Sequence, residues 1–271
     1  MKSVLWIWIA FCCLLRAQAP APEPAAKPPD PSLLTNSGDP MLIPFQCSAE
    51  NMEWAGMSCT TEEPCPVYLE LAALESVGNR IFLAGNIHSS SVTMYSLLLA
   101  SEDAGKTWRE PYDRFRGTEL DHIQFIDFET GWISGQVVIP IAQDPFLLIT
   151  SDGGKTWRKR PIFGETRAGT ISQFWFSSRN NGTLLIDRSQ SGADSRYELY
   201  ESMTGGESWM LREVNDKPIR LKRIFVPNTD WRIRADGPTK SFRIERRQGE
   251  KWTTLASFLI SLPACKPPEQ K

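Results

Sequence analysis

From about residue 68 to residue 260, hydrophobic and polar positions alternate in short runs, each ended by Gly, Asn or Asp. His122–Phe128 alternates, Glu129-Thr130-Gly131 turns, Trp132–Ile141 runs back and Phe146–Thr150 returns. The same grammar recurs downstream. Ile171–Ser178, a turn at Asn180-Asn181-Gly182, then Thr183–Asp187 and Tyr197–Ser202 make a third unit. Upstream, a first unit runs from about Tyr68 through Arg80–Gly85 and Met94–Ala100. In a fourth, Arg223–Val226, Trp231–Arg234 and Ser241–Ile244 precede Trp252. Period-two alternation sets successive side chains on opposite faces of a strand. Four short strands per unit, joined by tight turns, predict an all-β chain built of β-propeller blades.

A repeated loop fixes the period. Gly-Lys-Thr-Trp occurs at Gly105 and again at Gly154, 49 residues on. Each closes a match to the Asp-box, Ser/Thr-x-Asp-x-Gly-x-Thr-Trp, first as Ser101, Asp103, Gly105, Thr107 and Trp108, then as Thr150, Asp152, Gly154, Thr156 and Trp157. A weaker copy with Ser202, Gly206, Ser208 and Trp209 follows after 52 residues, and a remnant, Gly249–Trp252, after a further 43, with Arg247 where Asp belongs. In such a turn the Asp and Ser/Thr side chains accept from nearby backbone N–H groups, and Gly supplies a left-handed backbone. The Trp then leaves along the next strand to bury its ring against a neighbour. The expectation is a propeller of about four recognisable four-stranded blades, or five, with box turns between third and fourth strands. The blades span about 67–112, 113–161, 162–214 and 215–262, with Trp108, Trp157 and Trp209 at equivalent positions and no long helix between units. A closed ring is expected, because an open one would expose sheet edges at its two ends.

The ends change the picture. Lys2, the apolar run Val4–Leu15 and Ala17-Gln18-Ala19 read as a secretory signal peptide over 1–19, too short to be a membrane anchor of ordinary length. Residues 20–40 read as a Pro-rich linker, 41–66 as a Cys-containing segment before the propeller (67–265), and 266–271 as a tail. Four cysteines remain beyond the signal, Cys47, Cys59, Cys65 and Cys265, an even set that favours two disulfides in an exported chain. Cys265 lies past the last blade and the other three before the first. A bond between the ends would act as a clasp, with local Cys47–Cys59 or Cys59–Cys65 pairing as the alternative.

Phe125–Gly135 followed by Ile149–Trp157 resembles the repeat of the photosystem II assembly factor propellers. It is also similar to the wider set of bacterial Asp-box (BNR repeat) exported propellers. The resemblance implies a binding or assembly scaffold in the periplasm or at the cell surface, without chemistry of its own.

Asp-boxes occur in sialidases and related glycosidases too. A site of that kind needs an arginine triad, a tyrosine with a nearby Glu and an acid/base Asp. Such enzymes carry Phe/Tyr-Arg-Ile-Pro before the first box; the nearest strings here, Trp231–Arg234 and Phe242–Glu245, follow the third box and lack the proline. His88 and His122 have no partner at ligand spacing and read as satisfied or exposed residues. Asp152-Gly153-Gly154 lacks the carboxylate ladder of a calcium loop. No catalytic residue, metal or cofactor is expected, and a carbohydrate-binding or degenerate glycosidase module is the alternative.

Charge is uneven although the net value is only -2. Pro28–Asn79 carries eight acidic residues and no Lys or Arg, while Arg212–Lys251 carries twelve basic against six acidic. Arg232 and Arg234 share one strand face, with Trp231, Ile233 and Ala235 on the other. With Arg220 and Arg223 they make the expected partner-binding surface, facing an acidic protein, or else they dock on the acidic N-terminal segment. Reversing Arg232 and Arg234 to Glu is expected to abolish partner capture and leave stability nearly unchanged. A sequence pI near 5.9 in an exported chain argues against nucleic acid.

Overall fold

A computed structural model describes residues 33–139, 141–192, 196–221 and 230–266. The expected signal peptide, most of the linker and the Arg223–Val226 segment lie outside these. Two short strands come first, β1 (Leu34–Thr35) and β2 (Met41–Ile43), then a one-turn helix α1 (Ala49–Trp54) capped by Ser48. The first blade follows as β3 (Cys65–Val77), β4 (Arg80–Ser89), β5 (Thr93–Ser101) and β6 (Thr107–Trp108). The second is β7 (Thr118–Phe125), β8 (Gly131–Val137), β9 (Gln143–Thr150) and β10 (Arg158–Pro161). The third is β11 (Thr170–Phe176), β12 (Gly182–Asp187), β13 (Tyr197–Ser202) and β14 (Met210–Asn215). The last strands are β15 (Trp231–Asp236), β16 (Ser241–Gln248), β17 (Lys251–Ile260) and β18 (Ala264–Cys265). The second and third blades are four-stranded antiparallel meanders in sequence order and the other two are built on three-stranded ones, so the fold is the β-propeller that the alternation predicts.

The boxes earn their spacing through local bonds. In the first, Gly105 N donates to Ser101 Oγ (2.8 Å) and Thr107 N and Oγ1 donate to the Asp103 carboxylate (2.9 and 2.7 Å). Thr150, Asp152, Gly154 and Thr156 repeat that network within a few tenths of an ångström. The third box keeps it too. Thr204 stands where Asp belongs, and its Oγ1 accepts from Ser208 N at 3.0 Å. Gly154 has φ +82°, and a Cβ there would come within 2.4 Å of the Phe82 ring, so both backbone and space require glycine. The Gly249–Trp252 remnant is a plain two-residue hairpin turn, with Gln248 opposite Lys251 and none of these bonds.

Three apolar cores lie between blades. Phe82, Ala84 and Leu98 of the first blade meet Ile133, Phe146 and Trp157 of the second. Trp132 and Leu147 of the second meet Phe174, Phe176 and Leu184 of the third. Leu83, Leu97 and Trp108 of the first meet Ile244, Ala256 and Phe258 of the fourth. First and fourth blades are therefore neighbours, as a ring demands. Among the described residues no such core joins the third and fourth.

Closure comes from the N-terminus. β2 adds to the fourth blade parallel to β17, with Met41, Leu42 and Ile43 opposite Phe258, Leu259 and Ile260. Met41 and Ile43 are buried in the core while Leu42 is 54% exposed, the alternation of a true strand. The segment 41–66, read from sequence as preceding the propeller, thus supplies its last strand. Cys47 is bonded to Cys265 and Cys59 to Cys65, and β18 pairs with the start of β3. The clasp lies across 218 residues of chain.

Asp152 gives the boxes a pH signature. Burial alone would raise its pKa, but bonds from the Thr156 hydroxyl and N–H, the Thr150 hydroxyl and Lys155 N–H hold it at about 2. Asp103 is lowered for the same reasons. A carboxyl depressed in the folded state stabilises it above the unfolded pKa and stops doing so as pH falls through the folded value. We expect acid unfolding between about pH 4 and 2. Asp152→Asn should remove much of that acid dependence in circular-dichroism titrations.

Candidate functional site: an arginine face and two polar clusters

On β15 and β16 the strand register sets Arg232 opposite Glu245 and Arg234 opposite Arg243. Trp231, Ile233 and Phe242 point into the core with the first blade, so by alternation the arginines look the other way. Arg232 Nε donates to Glu245 Oε2 at 2.6 Å, and its guanidinium lies 4.2 Å from the Trp252 ring centroid. Arg243 reaches Asp236 at 3.4 Å. Arg234 is exposed and has no ion pair among the described residues. Arg220 is exposed just beyond β14; Arg223 lies outside the described residues. The structure therefore brings Arg232 and Arg234 together on one face but gives them different surroundings.

Two expectations change. Among the described residues Arg232 and Arg234 make no ion pair with the acidic N-terminal segment, where Glu50 pairs with Arg116 (2.8 Å) and Glu70 with His88 (2.8 Å). Arg232 is also no neutral test position. Its partner Glu245 has a side chain only 8% exposed, and reversing Arg232 would strand that carboxylate beside a second negative charge. We expect Arg232→Glu to lower stability by about 2 kcal/mol, below the range for fully buried pairs because Arg232 itself is partly exposed. Arg234→Glu should shift the melting temperature by no more than about 3 °C.

Sequence reasoning missed a polar chain between the first two blades. His88, read as a satisfied or exposed histidine, is a satisfied one: Nε2 lies 2.8 Å from Glu70 and Nδ1 lies 3.0 Å from Thr93 Oγ1. Thr93 donates to Glu119 across the blade junction (2.6 Å), and Gln136 Nε2 donates to Asp121 (2.7 Å). The bond from His88, with a further one from Asn86, lowers the Glu70 pKa against the effect of burial. Burial, with the nearby Glu119 and Glu70 charges, lifts Asp121 to about 6 in spite of the Gln136 bond. Nearby, Glu75 borders a cavity of about 120 Å³ with His122, Phe125 and Trp175, and burial lifts it to about 7. Two carboxyls raised in the folded state cost stability once pH exceeds their unfolded values. Stability should therefore fall from about pH 4 to 7. Glu75→Gln should recover on the order of 2 kcal/mol at pH 7.5 and nothing at pH 4, read by urea unfolding at both.

A second cluster bears on the glycosidase alternative. Glu198 accepts from Arg167 (2.7 Å), Arg188 (2.9 Å) and the Tyr200 hydroxyl (2.8 Å). Arginines, a tyrosine and a carboxylate are thus together, yet Glu198 is 3% and Tyr200 5% exposed. Burial, then the bond to Glu198, pushes the Tyr200 pKa up to about 12, away from the phenolate a nucleophile needs. The cluster pins the 162–169 loop to the third blade. Among the described residues no group of three or more His, Cys, Asp or Glu could hold a metal ion, and no helix is long and apolar enough to cross a membrane.

No known family model matches the sequence, and no curated protein matches it. Solved structures of similar fold include YCF48 bound to D1 peptide, 14% identical over 73% of this chain with a TM-score of 0.39. YCF48 from Cyanidioschyzon merolae is 18% identical over 70% of this chain, with a TM-score of 0.37. The chain spans 60% and 57% of the lengths of these two proteins. The Penicillium chrysogenum alpha-L-arabinanase complexed with arabinobiose is 15% identical over 83% of this chain and 66% of its own, with a TM-score of 0.36. Likeness at this level says nothing about chemistry or partners. The blades are established by the chain's own strand pairing.

Proposed function

We propose that this protein is an exported, non-catalytic β-propeller that captures an acidic protein segment on the arginine face of its fourth blade. The observation that carries the reading is Arg234, exposed and without an ion pair among the described residues, beside Arg232, which is already held in place on Trp252 and Glu245. A guanidinium fixed in this way pairs with a carboxylate or stacks on an aromatic at little further entropic cost. The box aspartates support the same reading, since their carboxylates are taken up by the turns they build. Pull-down from the native envelope fraction tests it. Arg220→Glu with Arg234→Glu should reduce the captured partner to background while the melting temperature holds, and raised salt should weaken capture by the unaltered protein. Undiminished capture by this variant would dismiss the face.

A further inference from the structure

The four blades treat their outer edges differently. The first is covered by β1, whose Leu34 and Thr35 pair with Trp108 and Thr107 of β6. The fourth is covered by β2. The second ends in β10, Arg158-Lys159-Arg160-Pro161, whose charges and proline discourage pairing. β14 of the third blade has no proline and, among the described residues, neither an added strand nor any other strand on its outer side. It carries Met210, Leu211 and Val214 at 57%, 47% and 46% exposure, with Met203 at 72% close by in the preceding turn.

The register of β14 says what fits there. Leu211 lies opposite Tyr200 and Val214 opposite Glu198, so both point to the side of the second blade. Met210, Glu213 and Asn215 lie opposite Glu201, Leu199 and Tyr197, on the other side. A bulge leaves Arg212 as the extra residue, and its bond to Glu201 (2.6 Å) places it on that other side too. The order of sides along the strand is therefore the same read from either end. A two-fold axis between Arg212 and Glu213 would set Met210 opposite Asn215, Leu211 opposite Val214 and Arg212 opposite Glu213, each pair on a common face. A strictly alternating strand cannot do this about an axis between residues. Apolar meets apolar and cation meets anion. We infer that β14 pairs antiparallel with β14 of a second copy of this chain, joining two third blades into one eight-stranded sheet with two-fold symmetry.

Sedimentation velocity of the purified protein over a concentration series to about 1 mM tests the pairing. The unaltered protein should dimerise. Arg212→Glu or Glu213→Arg alone sets like charges opposite each other twice per dimer, and each should weaken association about tenfold. Arg212→Glu with Glu213→Arg restores the opposition and should return the constant to within about threefold of the original. Both positions are exposed, so unchanged melting curves control for folding. A monomer throughout the series would overturn the inference, leaving the edge to other partners. A dimer indifferent to the single reversals would overturn it equally.

Discussion

Replacing Cys47 and Cys265 together by serine is expected to lower the free energy of unfolding by about 5 kcal/mol, and the melting temperature by about 10–15 °C. The bond joins residues 218 apart, and a cross-link removes more freedom from the unfolded chain the longer the loop it closes. It also anchors the segment that carries β2, only four residues upstream of Cys47. The internal control is the other bond. Cys59–Cys65 spans a separation of 6, so its double serine variant should cost only about 2 kcal/mol. Urea unfolding of both, under oxidising conditions, measures the difference. Equal costs would mean that the long bond does not restrain closure.

The second large effect belongs to a tryptophan outside the boxes. Trp132 is fully buried, stacked on Phe176 with ring centroids 3.7 Å apart, and its indole N–H donates to the Gly205 carbonyl at 2.8 Å. It therefore joins the second blade to both the core and the box turn of the third. Trp132→Ala should cost about 4 kcal/mol through the cavity and the orphaned carbonyl. Trp132→Phe keeps most of the packing and should cost about 1–2 kcal/mol. Trp209, which only partly enters the same core, should cost about 2 kcal/mol as alanine. Urea midpoints that ranked Trp209 above Trp132 would mean that the box tryptophan, and not the blade-to-blade stack, carries this junction.

What could be read beforehand follows from range in sequence. A box closes its bonds within a few residues, so Ser101–Trp108 and Thr150–Trp157 announce themselves, and strand alternation does the same for the blades. The third box looked weaker than it is, because a Thr hydroxyl at position 204 does the accepting that an Asp carboxylate does elsewhere. Met41–Ile43 gave no sign of being a blade strand. Three residues are too few to show a period, and their partner β17 lies more than two hundred residues away. The Glu70–His88 bond and the hold of Glu245 on Arg232 depend on strand register, which spacing along the chain does not reveal. The arginine face was legible as composition. That one of its members is structural and the other free was not.

Closure of the propeller by its own N-terminal segment is most directly tested by peptide mapping of the unreduced protein. The account predicts one linked pair of peptides carrying Cys47 with Cys265 and, separately, Cys59 with Cys65. A Cys47–Cys59 or Cys47–Cys65 linkage, or a free thiol at Cys265, would contradict it.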